Sequence, residues 1–389
     1  DDLGAPFAAE NSRMISVNIG VPDPGMTEHW EALAARTDAN VFLNPAALNA
    51  ATATGFARVH ALLAWDTAVA PNKLVGFWAL RETRIGLVGP AVLAAPPYEY
   101  AFVSSPVIDP DYIDAVMPAW FDAIANDATL PNVIQIEFLD GDSHSYRAIT
   151  GALGARKGHV LKLSEQPRPF LSAASERKRS GSTGKKLRQD WNWLSSCGAV
   201  DIANDRSGAG ARAAFEVFLD LEARSWKGAK GTALLSDADD ATFTRRLIGD
   251  LGEHRNASVA LLRLDGRPIA AQVLLYSGSM AYTWKTAFDA EFAKYSPGAL
   301  LVDKVTDGLF DNPAITAIES CSPESGFMAQ LWTGRRMTVD MLVDVGTSKS
   351  TSFRLAALSE HAHAWLRARW HRARVINGPS LRNVATPEG

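Results

Sequence analysis

Cysteine is nearly absent: Cys197 and Cys321 are the two thiols in 389 residues. Two so widely spaced cysteines build neither a disulfide framework nor a zinc site, which points to a reducing compartment, and a cytoplasmic location is expected. Long apolar runs are missing as well. No stretch approaches the ~20 apolar residues a membrane helix needs, so no membrane insertion is expected. Asp1–Arg13 lacks the basic-then-apolar order of a secretion signal and is acidic and rich in small residues. It is expected to be a disordered leader, with Met14 a candidate native start. Positive charge is not in excess: 39 Lys and Arg against 43 Asp and Glu leave a formal charge of -4. That balance argues against a protein built chiefly to hold DNA.

Familiar cofactor motifs fail on their context. Gly184-Lys185 lacks the earlier glycine and the following Ser or Thr of a phosphate-binding P-loop. Gly208-Ala209-Gly210 with Ala213 mimics a dinucleotide fingerprint, but the helix after it leads to Trp226 and more helix, with no second parallel strand. His361 and His363 stand two apart in a predicted helix and point to different faces, a poor metal pair, so no metal is expected. Cys197 has no sequence sign of a partner histidine and reads as a quiet thiol.

What is present is length, and an order of elements that occurs twice. A chain of 389 residues with 47% apolar and 21% charged residues suits two ordinary globular domains. In the first half Thr27–Ala35 and Pro45–Arg58 read as helices. Lys73–Arg81 reads as a strand, followed by apolar runs through Ile85–Leu93 and Glu99–Val103. Asp109-Pro110 opens a helix with Ile113, Val116, Trp120 and Ile124 on one stripe, and Val133–Leu139 follows as a strand. In the second half Gly208–Trp226 and Asp239–Glu253 are helical. Ser258–Leu264, Pro268–Tyr276 and Met280–Phe288 form a meander whose first turn is Asp265-Gly266-Arg267. Tyr282, Trp284 and Phe288 are expected on one face by the two-residue period of a strand. A helix then opens on Ser296-Pro297-Gly298, carrying Leu301, Val305 and Leu309 at helical spacing, and a strand ends near Ser320. Pattern breaks at Pro167, Pro169 and Ser180-Gly181-Ser182 place the join near Glu165–Gly184. The expected division is a leader 1–13, a first unit 14–170 and a second unit 171–389. Met337–Val343 adds a last strand and Phe353–Arg374 a last helix.

Four blocks carry a resemblance. Glu222 with Trp226-Lys227-Gly228 and Gly231-Thr232-Ala233 is similar to the first signature of the CelD-like acetyltransferases associated with cellulose biosynthesis. Asp265–Ala271, Lys285–Asp289 and Phe292–Gly298 resemble the next three, so that the match covers about Ser175–Val343. Two departures stand out: Phe292–Gly298 has a single glycine, at its end, and Met328–Trp332 has no lysine before the tryptophan. The resemblance implies an α/β (α+β) fold of two tandem GNAT-like units, each a twisted, mostly antiparallel sheet flanked by helices. It also implies transfer of an acyl group from acetyl-CoA or another acyl-CoA to an amine or hydroxyl of a small molecule or saccharide.

Within that frame the pantetheine arm is expected along Met280–Phe288, with Thr283, Trp284 and Lys285 beside it. The diphosphate is expected at Tyr295, Ser296, Pro297 and Gly298, where free N–H groups and the helix dipole favour an anion. Ser296 suits the N-cap and Pro297 the first helical position. Glu222 is the leading general base, with pairing to Lys227 or Arg224 as its structural alternative. Glu319, next to the gap between strands, is a second candidate base or an ordinary surface carboxylate. Tyr295 is placed to protonate the leaving thiolate or to pack as a buried tyrosine. The acceptor wall is expected from Trp226, Lys227, Gly228, Gly231, Thr232, Gln272, Asp289 and Trp332. Gly228 has the alternative of closing a helix, and Lys285 that of a solvated strand lysine. The first unit is expected to keep the shape without a cofactor site. Arg177-Lys178-Arg179 and Lys185-Lys186-Arg188, followed by Trp191 and Trp193, keep open a grip on phosphates, on an anionic acceptor or on RNA. The alternative activity in the same fold is therefore transfer from aminoacyl-tRNA, and the alternative outside catalysis is a carbohydrate- or partner-binding protein, compatible with the 11 tryptophans.

Overall fold

The structure is a computed structural model of the chain and describes residues 14–37, 40–86, 89–174 and 181–360. The first half runs β1 (Ile15–Gly20), α1 (Thr27–Ala34), α2 (Pro45–Ala53), β2 (Val59–Asp66), β3 (Lys73–Arg84), β4 (Ala91–Ala95), β5 (Val107–Ile108), α3 (Ile113–Asn126), β6 (Val133–Asp140), α4 (His144–Ala155) and β7 (His159–Ser172). The second runs α5 (Gly181–Cys197), β8 (Val200–Asp205), α6 (Gly208–Arg224), α7 (Trp226–Ala229), α8 (Ala238–Glu253), β9 (Ala257–Leu264), β10 (Arg267–Ser277), β11 (Met280–Phe288), α9 (Pro297–Phe310), β12 (Ala317–Glu319), α10 (Met328–Leu331) and β13 (Arg335–Asp344). Side-chain caps set several helix starts. Asn44 accepts the Ala46 N–H ahead of Pro45, Ser207 that of Gly210, and Asp237 those of Asp239 and Asp240. Each satisfies a donor that the first helical turn leaves free.

The strands form one twisted sheet in the order β1-β2-β3-β4-β6-β13-β7-β12-β11-β10-β9-β8, with β5 pairing β3 off that path. Two neighbouring pairs are parallel and the rest antiparallel: β4 with β6, and β11 with β12. Each parallel pair is joined by a long helix, α3 or α9, as a parallel connection requires. Meander, crossover helix and parallel strand thus occur twice, and this is the duplicated order legible in the sequence. Flanking helices complete a mixed α/β architecture.

One strand exchange ties the halves together. β13, from the end of the chain, lies between β6 and β7 of the first half. β7 in turn pairs with β13 over His159–Pro169 and then with β12 over Phe170–Ser172. The expected break at Pro167 and Pro169 is therefore continuous strand. It tolerates prolines because β7 is paired on one side only until Phe170, and a missing N–H can face the open side. The apolar run Glu99–Val103 is loop. The main apolar core crosses the boundary, packing Trp30, Phe42, Trp78 and Trp120 of the first half with Phe215, Phe218, Phe243 and Tyr282 of the second. A second core, containing Leu194, Leu274, Leu301 and Trp332, covers the other face of the second half. The last expected helix is helical over residues 351–360, and its remainder lies outside the described residues.

Candidate active site

β11 and β12 run parallel for three residue pairs, Met280–Tyr282 against Ala317–Glu319, and β12 then stops. Beyond that point β11 continues to Phe288, so its next residues have no strand on that side. Thr283 bridges the opening, its hydroxyl donating to the Ser320 carbonyl at 3.2 Å. The chain leaves β11 through a 3-10 turn capped by Asp289, whose carboxylate accepts the Glu291 N–H at 3.0 Å and pairs with Arg267 at 2.6 Å.

At the start of α9 the expected cap is absent. Ser296 is the N-cap residue, but it sits in the left-handed region (φ 50°) and its side chain makes no capping bond. A capping serine needs an extended backbone to turn its hydroxyl onto the first turn. Pro297 has no N–H and the Leu300 N–H returns to the Ser296 carbonyl at 3.0 Å, so Gly298 and Ala299 hold the free donors of this end. Pro297 and Gly298 are buried and Ala299 half-buried. A Cβ on Gly298 would lie 3.3 Å from Phe288, so this helix start seats directly against β11. The equivalent start in the first half is different. There Asp109 accepts the Asp111 N–H at 3.3 Å and bonds Arg36 at 2.7 Å and Lys73 at 2.9 Å. Burial pushes the Asp109 pKa up, but these partners outweigh it and hold it below the usual carboxylate range. In the first half the anion position of the helix is filled by the protein's own carboxylate.

The expected Tyr282/Trp284/Phe288 stripe is broken by a β-bulge. The β10–β11 register slips between Val273 and Leu274, leaving Trp284 without a partner. One extra residue reverses the alternation beyond it. Phe288 therefore packs with the second core. Lys285 comes round to the Trp284 side, with its ammonium 4.7 Å from the Tyr100 ring centroid and 5.5 Å from that of Trp284. It is no solvated strand lysine: burial lowers its pKa to about 8, opposed by Glu222 and Asp240 and reinforced by Lys227.

Tyr100 arrives from the first half, in the loop after β4. Its hydroxyl donates to Asp240 at 2.6 Å and its carbonyl accepts the Trp284 indole N–H at 2.9 Å. Burial, then the bond to Asp240, raises the Tyr100 pKa. Phe56 and Phe243, stacked at 4.2 Å, extend this aromatic wall. None of Tyr100, Asp240, Phe56 or Phe243 stands out by motif, and only Asp240 has a local signal, as an acidic first-turn residue.

Glu222 lies on α6, 1% exposed. One oxygen pairs with Lys227 at 2.8 Å and the other accepts the Leu234 N–H at 2.9 Å. It thereby pins both ends of the Trp226–Leu234 segment, and of its two suggested partners it takes Lys227, Arg224 pairing instead with Asp220. Gly228 is sterically required, since a Cβ there would lie 1.8 Å from the Ala223 carbonyl oxygen. Gly231 takes φ +68°, and Thr232 folds back so that its N–H donates to the Lys227 carbonyl at 2.9 Å. Trp226 is left 57% exposed, with the Lys230 ammonium 4.9 Å from its ring centroid.

The other expected residues sit elsewhere. Glu319 is 1% exposed between Arg168 at 3.7 Å and Arg336 at 3.6 Å, and accepts the Cys321 N–H at 3.1 Å. It is no surface carboxylate, because β7 and β13 bring both guanidinium groups onto it. Tyr295 stacks on Trp193 with ring centroids 3.3 Å apart, which places it against α5. Gln272 is buried, donating to the Val273 carbonyl and accepting from Thr286. Trp332 is buried in the second core, its indole N–H without a hydrogen-bond partner. Lys185, Lys186 and Arg188 are exposed on α5, with Lys186 paired to Asp190 at 2.7 Å. Arg177, Lys178, Arg179, His361 and His363 lie outside the described residues, among which no group of metal-binding side chains occurs.

This geometry has known counterparts. Residues 181–319 match the family model described as "Acetyltransferase (GNAT) domain". No curated protein sequence matches the chain. Among solved structures the chain is similar to FemX, with 10% identity, TM-score 0.57, and 82% of this chain and 96% of that one covered. It is also similar to L-PGS from Bacillus licheniformis, with 13% identity, TM-score 0.53 and coverage of 87% and 96%. A third is the C-terminal domain of a putative lysylphosphatidylglycerol synthetase from Agrobacterium fabrum, with 13% identity, TM-score 0.52 and coverage of 86% and 95%. At these identities the likeness is one of fold. Residues 181–319 are thus similar to a GNAT acetyltransferase domain, and over more than four-fifths of its length the chain shares the fold of the three structures.

Proposed function

We propose that the chain is an acyl-CoA-dependent N- or O-acyltransferase with its reaction centre in the second half. The observation that carries the reading is the open end of the parallel β11–β12 pair, with the Trp284 bulge and the uncapped start of α9 on one side. The acyl-CoA is a substrate here, and the residues fit it: the N–H groups of Gly298 and Ala299 would receive diphosphate oxygens, whereas Asp109 repels them in the first half. The pantetheine arm would follow β11 past Thr283. The main-chain N–H of Trp284, at the bulge, would polarise the thioester carbonyl. An amine or hydroxyl entering between Trp226 and Tyr100 attacks that carbonyl, and neutral Lys285 accepts its proton. The carbon–sulfur bond then breaks and the thiolate takes that proton back from the Lys285 ammonium.

Glu222, with both oxygens committed, holds the Trp226–Leu234 segment and acts as a positioning residue. Glu319 fastens β12 to β7 and β13. The CelD-like resemblance supports a saccharide among the acceptors. The exposed α5 lysines beside the Trp193–Tyr295 stack favour one second reading, transfer from aminoacyl-tRNA. Thermal shift and calorimetry with acetyl-CoA, longer acyl-CoAs and tRNA separate the two. The first reading expects stabilisation by an acyl-CoA at one per chain. Salt-sensitive tRNA binding without acyl-CoA binding supports the second, and two acyl-CoA per chain would refute the asymmetry between the halves.

A further inference from the structure

A cavity opens far from β11, at the outer edge of the first half. It has a volume of about 620 Å³, within the usual range for small-ligand sites. Its floor comes from strand register: Ser16 stands opposite Trp65 and Asn18 opposite Leu63 across β1 and β2, so all four share one face. The neighbours on β2, Leu62, Ala64 and Asp66, are buried, while Leu63 and Trp65 remain half-open. His29 of α1 meets the Trp65 indole edge-on, with ring centroids 4.9 Å apart at 84°. Thr67 and Asn72 complete the rim.

The chemistry of the lining is selective. Among the described residues it contains no carboxylate, ammonium or guanidinium group, which disfavours a strongly charged ligand. Ser16, Asn18 and Asn72 make no side-chain hydrogen bond within the described residues. Hydroxyl and amide groups both donate and accept, so they suit a ligand carrying many hydroxyls. An indole offers a flat apolar face to C–H groups. We propose that this cavity is a binding site for a neutral saccharide, one pyranose face lying on Trp65 and its hydroxyls bonding Ser16, Asn18 and Asn72. It is a site separate from the reaction centre and stands whether or not that assignment holds.

The test is calorimetric titration of the full chain with cellotetraose, maltotetraose and N-acetylated chitotetraose. At least one is expected to bind. Trp65→Ala and the exposed double variant N18A/N72A should each weaken binding at least about tenfold. Acyl transfer to a small acceptor should be unaffected in N18A/N72A. Should Trp65→Ala fail to fold, N18A/N72A alone decides. The assignment is overturned if no tetrasaccharide binds at about 10 mM. Binding lost in Trp226→Ala but kept in the cavity variants also overturns it.

Discussion

Lys285 concentrates the consequences at the scale of single residues. Its pKa of about 8 against an ordinary 10.5 means that between these values the unfolded chain holds a proton that the native state has released. Stability therefore rises with pH across that window, and below about pH 8 the cost of the buried charge is fully present. Lys285→Met removes the cost. It is expected to stabilise the fold at pH 7 by about 1–2 kcal/mol, a figure reduced because the side chain is only half-buried, read as a higher melting temperature, and the gain should vanish as pH approaches 10.5. The same variant is expected to lower kcat about 10²-fold or more with little change in acyl-CoA affinity. In the parent, kcat should rise as pH passes through about 8. A destabilised variant, or one with kcat intact, rules out the role given to Lys285. The sequence left Lys227 and Arg224 both open as partners of Glu222, and only the turn from α6 into α7 selects Lys227. The inward turn of Lys285 was not legible either, because it depends on a bulge set by β10.

At the scale of elements, the short helix α7 is held by a steric fit rather than by hydrophobic burial. Gly228 lets it approach the end of α6 to a distance no Cβ allows. Gly228→Ala must displace α7, break the Lys227–Glu222 pair, and leave a carboxylate buried with one partner fewer. The expected loss is about 1–3 kcal/mol, read as a lower melting temperature, together with a raised KM for the acceptor and an unchanged one for acyl-CoA. An unchanged melting temperature would show that the segment rearranges freely. The sequence offered Gly228 as a loop glycine or as the close of the preceding helix, whereas it lies inside α7; closing a helix and permitting a close approach have the same local signature. Only the Ala223 carbonyl distinguishes them. The start of α9 is the converse case. Ser-Pro-Gly reads as a capped start, yet the preceding 3-10 turn forces Ser296 into the left-handed region, where a serine cannot cap.

For the whole molecule, the exchange of β7 and β13 makes the halves mutually dependent. A fragment ending at Ser172 leaves β6 and β7 without the strand that lies between them. It also leaves Trp30, Phe42 and Trp120 without their partners across the boundary. Such a fragment is expected to show no cooperative thermal transition, whereas the full chain should melt as one unit by calorimetry and circular dichroism. A fragment that melts cooperatively by itself would show that the exchange is dispensable. Glu319, between Arg168 and Arg336, fastens this junction with charges that are costly to separate.

Adjacent residues determined much of this protein: the doubled order of meander, crossover helix and strand, and the starts of α1, α2, α3, α6, α8 and α9, though not α4, α5, α7 or α10. Those features follow from period, capping and turn chemistry, which act within a few residues of each other. The tertiary structure decided which strands exchange, where the bulge falls, and which distant groups surround Lys285. Strand partnership and register are fixed by packing between segments as far apart as Tyr100 and Trp284, and no local pattern encodes a contact of that separation.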